Sequence, residues 1–319
     1  NVLRFLGEKT TISEEVLIFY KLPKRLFITA AFKDIYHQTN RLPIITLPFI
    51  FTAIAILLSF LKFEFIAWGI LAIGFFTIGL AHGALDHLTS HEINSTKKLI
   101  YFMLSYLLKG ALFGIVWWFS SDMALAVFLL YSAWHFGQAD FKEWNLKQGW
   151  NSFIYGVILL TVILFFHVEE LIDILKQIPN LAAVNLLHKI PKNGLLLIQV
   201  LTVSLGLTLA RLKKSTNLLL TLIYLLMASQ LSLLMAFGIY FVLQHSINGW
   251  KHLSVGLEKE SSVMWKNAFP FTIGGGGIIL NILLFEDENY IGLSFIILSC
   301  LSLPHVFSMN HFYQLTSSK

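Results

Sequence analysis

Gly79-Leu80-Ala81-His82-Gly83-Ala84-Leu85-Asp86-His87-Leu88-Thr89-Ser90-His91 closes a long apolar run and sets three histidines and an aspartate at its end. Ionisable groups are costly inside a bilayer, and where they occur they mark sites or pathways. Three later apolar runs end in a similar way, at His135, His245 and His305. The fold and the function are both read outward from that coincidence.

The runs themselves set the fold class. Of 319 residues, 56% are hydrophobic, and the mean hydropathy is +0.71. A soluble domain is about 45–50% apolar, and several runs here reach the roughly 20 residues that cross a bilayer. The sequence therefore reads as an all-α polytopic membrane protein. Cys300 is the single cysteine, which excludes an internal disulfide and a cysteine-based metal cage. The net charge of +5 suits cytoplasmic loops rather than nucleic-acid binding. No cleavable signal peptide is expected, because the first forty residues are mixed polar and charged.

Residues 1–42 are expected to form a cytoplasmic arm. Lys21 to Arg41 mixes Phe, Leu and Ile with basic residues, which suits either an amphipathic piece on the lipid surface or a solvated extension. A helical membrane domain occupies 43–319. Ten spans are expected, at 43–61, 64–83, 99–119, 123–138, 151–167, 194–210, 216–229, 231–248, 268–285 and 291–311. Ser229-Gln230-Leu231-Ser232 supplies a reversal within a run too long for one helix, and 168–187 reads as an interfacial helix broken at Pro179. Gly274 to Gly277 reads as a close-packing point rather than a phosphate loop, since no Lys-Ser/Thr comes after it. Counting Lys and Arg in alternate loops puts the N-terminus inside. That side receives the arm, Lys97, Lys98, Lys142, Lys147, Arg211, Lys213, Lys214, Lys251, Lys259 and Lys266. The expected location is the cell membrane.

This topology, drawn without reference to histidine, places His82, His135, His245 and His305 at one depth on the cytoplasmic side, each on its own helix. Imidazole suits zinc, copper, iron and nickel, and helices converging on one point can build a metal site. Asp86 lies four residues after His82 and shares its helical face. Asp140 lies five after His135 and is able to fold back over the helix end. A carboxylate that accepts the second imidazole N–H fixes the tautomer of a ligand, so both read as supports, or else as plain helix-end charges. Gln244 and Asn248 suit the same supporting role. Pro304 either turns His305 inward or marks packing. His87 and His91 are spaced to chelate from one helix, and His252 and His311 lie near the same face. His37, His167 and His188 read as surface residues. Lys109 falls inside the third span, which requires a polar cavity or a displaced span.

The strings His82-Gly-Ala-Leu-Asp86-His87, Trp134-His135-Phe-Gly-Gln-Ala-Asp140, Gln244-His245-Ser246 and Leu303-Pro304-His305 resemble the Brp/Blh family of membrane β-carotene 15,15′-dioxygenases, over about 75–312. The resemblance implies a non-haem Fe(II) enzyme that uses O2 to cleave the central double bond of β-carotene into two retinals. It also implies that His82, His135 and His245 are ligands. Some members carry a further histidine four residues after the position of His245, and here that position is Gly249. The fourth ligand is then His305, His252 or His87. His305 is favoured because it comes from a further helix, whereas His252 lies about 10 Å of helical rise beyond His245. Partners implied are β-carotene, O2, membrane lipid and an opsin-type retinal-binding protein, with no nucleic acid.

The chemistry agrees with the composition. β-Carotene resides in the bilayer, and 28 Phe, 8 Trp and 10 Tyr suffice to line an apolar path. Two rival readings remain. A di-iron membrane desaturase or hydroxylase would need about eight clustered histidines with adjacent pairs, and no His-His pair is present. A transporter or carotenoid-binding protein would use the histidines to relay protons or bind a structural metal.

Overall fold

The computed structural model describes residues 45–89, 95–285 and 290–317. The N-terminal arm, His37, His91 and the acidic connection at 286–289 lie outside the described residues. Regular structure among the described residues is entirely helical. It runs in twelve helices: α1 (Thr46–Phe60), α2 (Glu64–Leu88), α3 (Thr96–Phe119), α4 (Ser121–Glu143), α5 (Trp150–Phe165), α6 (Val168–Leu175), α7 (Ala183–His188), α8 (Lys192–Lys213), α9 (Thr216–Ala228), α10 (233–256), α11 (Ser261–Phe285) and α12 (Tyr290–Ser317).

A helix occupies each of the ten stretches read as spans. Four are long and apolar enough to cross a membrane: α2, α3, α8 and residues Ile291–Thr316 of α12. Helices α1, α5 and α9 are apolar but have 15, 16 and 13 residues, short of the roughly 20 needed untilted. Helix α4 has the length, at 23 residues, but its second half carries His135, Gln138, Asp140, Lys142 and Glu143.

Local sequence explains the boundaries. Ser95, Ser120, Ser215 and Ser232 each accept a hydrogen bond from the backbone N–H three residues on, capping α3, α4, α9 and α10. Ser232 is the last residue of the expected reversal, so α9 and α10 turn where the polar residues fall. Lys214 takes a left-handed conformation (φ 49°) and ends α8. The 168–187 stretch divides into α6 and α7, with Pro179 in the turn between them.

Around an apolar core, the described residues expose apolar faces and bury polar groups. Leu104, Leu107, Leu108, Trp118 and Phe119 on α3, and Leu196, Leu197, Leu201 and Leu205 on α8, face outward. Inside lie His82, Asp86, His135, Gln138, Asp140, Gln244, His245, Asn248 and His305. Apolar surface outside with polar groups inside suits lipid as the solvent. Lys109 lies exposed on the outer face of α3 rather than in a polar cavity.

Two packing features set the site. Helices α4 and α5 meet at Gly137 and Gly156, where an added Cβ would run into the carbonyls of Ser152 and Ala133 respectively. Small residues permit this close approach, and it fixes the helix that carries His135. In α12, Pro304 cannot donate to the preceding turn. Its missing N–H would have met Cys300 O, which lies against Gly110 of α3, and one residue earlier Ser299 O accepts from Tyr131 Oη at 2.7 Å.

Candidate metal centre

His82, His135, His245 and His305 come from α2, α4, α10 and α12, and all four are buried. Their rings form a closed circuit. Centroids lie 5.3 Å apart for His82–His245, 4.8 Å for His245–His135, 5.0 Å for His135–His305 and 5.0 Å for His305–His82. Neighbouring rings meet edge to face, at 75–87°. Ligand nitrogens of His82, His245 and His305 all lie within 4.8 Å of one another; His135 stands outside that set and joins it through its ring contacts with His245 and His305.

Backbone irregularity aims two of these rings. Helix α2 widens into a π-helical turn at Phe75–Gly79, resumes α geometry at Leu80–Ala84, and tightens to 3-10 geometry at Asp86–Leu88. Helix α10 is π-helical over Ile239–Ser246, the stretch that holds His245. Such turns are rare and cluster at functional sites.

The hydrogen bonds assign the tautomers. His82 Nδ1–H donates to Ile78 O at 3.3 Å, and a carbonyl only accepts, so Nε2 keeps its lone pair. His305 Nδ1–H donates to Asp86 Oδ1 and Oδ2 at 2.9 and 3.0 Å, again leaving Nε2 as an acceptor. His82 Nε2, His135 Nδ1 and Nε2, His245 Nδ1 and His305 Nε2 are buried without a hydrogen-bond partner. A buried unpaired polar atom costs about 1–3 kcal/mol. Lone pairs on separate helices, converging in one closed space, fit a cation.

Two supporting contacts differ from expectation. Asp86 serves His305, not His82, because the helix changes to 3-10 geometry at Asp86 and the four-residue face rule fails there. Its Oδ2 also accepts from Tyr106 Oη at 3.0 Å. Asp140 does not fold back toward His135. Helix α4 continues to Glu143, and five residues at 100° each carry Asp140 about 140° away around the axis. Asp140 instead accepts from Tyr155, Tyr240, Gln244 and Asn248, so Gln244 and Asn248 touch that carboxylate rather than an imidazole.

Other histidines are engaged elsewhere. His252 uses both nitrogens, toward Tyr313 Oη at 2.9 Å and Glu143 Oε2 at 3.1 Å. His87 Nδ1–H donates to Ala84 O, and its ring packs on Phe271. His188 and His311 are exposed. His167, expected at the surface, is buried with Nδ1 against Ile163 O at 2.7 Å, its ring folded back on the end of α5. Gly249 abuts His82: a Cβ there would lie 3.1 Å from His82 Cδ2. Tyr106, Tyr155, Tyr224 and Tyr240 do not stand out in the sequence. A tyrosine in an apolar helix has no distinguishing spacing, and these act across helices.

A family model described as "Beta-carotene 15,15'-dioxygenase" matches residues 73–313. The chain belongs to that family. The matched region holds all four histidines and begins just before the π-helical turn of α2, leaving α1 outside. A protein named beta-carotene 15,15'-dioxygenase, from uncultured marine bacterium 66A03, is 31% identical over 275 residues, covering 80% of this chain and 96% of the relative. No solved structure matches the chain.

Proposed function

We propose that this chain is an integral membrane β-carotene 15,15′-dioxygenase, with Fe(II) held by His82, His135, His245 and His305. The observation that carries the reading is the circuit of four buried rings with unpaired nitrogens, in a chain of this family. In the reaction the central C=C is replaced by two C=O groups. Both oxygen atoms of O2 enter the products, so no further reductant is needed. Neutral nitrogen donors suit Fe(II) and leave positions for small ligands. Fe(II), when bound, would activate O2 toward the alkene, whose own C=C supplies the electrons that reduce it.

The chain's own residues hold and orient. Asp86, steadied by Tyr106, keeps the proton of His305 on Nδ1, and Ile78 O does the same for His82. Phenyl rings packed against the imidazoles would hold the polyene. Phe241 stacks on His245 at 5.7 Å, Phe237 stacks on Phe241 at 5.6 Å, and Phe75 lies 6.0 Å from Phe241. Phe136 meets the His245 ring edge-on at 4.7 Å. These groups exclude water, and positioning selects the bond that is cut.

The reading includes ten spans, α1–α5 and α8–α12, with the arm at 1–42 and the histidines on the cytoplasmic side. The lysine and arginine count supports it. Residues 43–319 are then the catalytic domain in the cell membrane, and an opsin-type protein in the same bilayer receives the insoluble product.

The test is co-expression in cells that accumulate β-carotene, with retinal measured by chromatography beside His135→Ala. Retinal from the native chain alone is expected, with one iron per chain. No apocarotenal from folded, iron-loaded protein refutes the assignment.

A further inference from the structure

A second buried polar cluster lies beside the histidines, and its Tyr240 ring packs 6.3 Å from that of His245. Asp140 of α4 is fully buried. Its Oδ2 accepts from Tyr155 Oη of α5 at 2.8 Å, Tyr240 Oη at 3.2 Å and Gln244 Nε2 at 2.8 Å. Its Oδ1 accepts from Asn248 Nδ2 at 3.5 Å. Tyr224 Oη of α9 closes the cluster on Gln244 Oε1 at 2.8 Å. Burying a carboxyl is expensive unless every donor around it is placed, and the reaction needs no acid or base here.

Three of its four donors sit on α10. Tyr240 lies at the start of the π-helical turn Ile239–Ser246, Gln244 lies inside it, and Asn248 lies just past its end. Ser246 Oγ adds a bond to Phe241 O, five residues back. A π-helical turn is the less stable form of the backbone, and its presence swings the remainder of the helix by about one residue, or 100°. One carboxyl therefore grips the wide turn before, within and after its extra residue. His245 is the neighbour of Gln244.

We infer that Asp140 is a positioning residue for His245. It holds the π-helical turn of α10 in the register that aims the His245 ring at His82, His135 and His305. The inference rests on the metal-centre reading given above.

The test compares Asp140→Ala with Asp140→Asn, using anaerobic binding of Fe(II) alone and the visible spectrum of the Co(II)-loaded chain. Asp140→Ala removes the acceptor shared by Tyr155, Tyr240 and Gln244. In Asp140→Asn the amide oxygen takes the Oδ2 place, and the amide N–H faces Asn248, whose own amide oxygen is free to accept. Expected are a 10–100-fold loss of Fe(II) affinity in Asp140→Ala, a changed Co(II) spectrum, and recovery of both in Asp140→Asn. An Fe(II) affinity and Co(II) spectrum unchanged in Asp140→Ala overturn the inference. So does a lowered melting temperature of the metal-free chain with the Co(II) spectrum unchanged, which makes the cluster purely structural. If the native chain itself takes up no metal, the metal-centre reading falls and takes the inference with it. If the native chain binds metal and Asp140→Ala is unaffected, the inference alone falls.

Discussion

Replacing Gly249 with alanine tests whether the His82 ring is a ligand in the position observed. The new methyl would sit 3.1 Å from His82 Cδ2, 3.7 Å from Cγ and 3.9 Å from Nε2. Carbon atoms meet comfortably at about 3.5–4.0 Å, so the ring must yield by about 0.4 Å or more. It has little room to do so. Nδ1 is tied to Ile78 O, and Phe241 lies 6.0 Å away on another side. Metal–ligand distances tolerate about 0.2 Å, so the displacement exceeds the tolerance, and a loss of roughly 10-fold or more in metal affinity is expected. The helix responds in the opposite direction. Gly249 lies inside the α-helical part of α10, Ile247–Gly256, where alanine is favoured over glycine by about 1 kcal/mol. Anaerobic Fe(II) titration of the purified chain, beside thermal unfolding of its metal-free form, reads both effects. Weaker binding with equal or higher thermal stability is the expected pair. An affinity within twofold of the native chain refutes the placement of His82 as a ligand held by this contact.

Asp86→Ala removes the acceptor that fixes the His305 tautomer and should lower Fe(II) affinity 10–100-fold; Tyr106→Phe should cost less, because His305 keeps both carboxylate oxygens. Gly156→Ala drives a methyl into the Ala133 carbonyl and should prop α4 away from α5, lowering both the folded yield in detergent and the iron content. Glu143, beyond the apolar part of α4, feels burial, which raises it, but hydrogen bonds and charge from His252 and Lys251 hold its carboxyl below the usual glutamate range. A depressed carboxyl contributes stability above its unfolded value, near pH 4.3, and loses it as pH falls through the folded one. Acid unfolding of Glu143→Gln should therefore show a weaker dependence on pH below about 4.3.

Much of this architecture is legible in the chain. Apolar runs locate helices because each run must bury its backbone polar groups, and the polar Ser229–Ser232 stretch marks the turn before α10, which Ser232 caps. The histidines stand out because imidazole in an apolar run is rare. Their partners are not legible. Asp86 and His305 lie 219 residues apart and meet only through the packing of α2 on α12. Residue spacing speaks for faces within one regular helix. It is silent on rotation between helices, and it misleads where the helix is not α, as at Asp86. For Asp140 the assumption that the helix ends early hides the four donors that surround it. The phenyl packing is hidden for another reason: aromatic residues are common everywhere in this chain, and only their stacking distinguishes Phe241.

The wide turn at Ile239–Ser246 has a genetic consequence. It contains one residue more than an α-helix would use over the same rise. Loss of a single codon there relaxes the backbone to its commoner form and rotates the rest of α10 by about 100° with about 1.5 Å of travel, which also turns Trp250 and Leu253 off their buried face. His245, if downstream of the deletion, turns away from its three companions. In reverse, one inserted codon is enough to swing a histidine from the outside of an ordinary helix into a closed centre. The aim of the His245 ring thus depends on the length of α10 as well as on the residues that compose it.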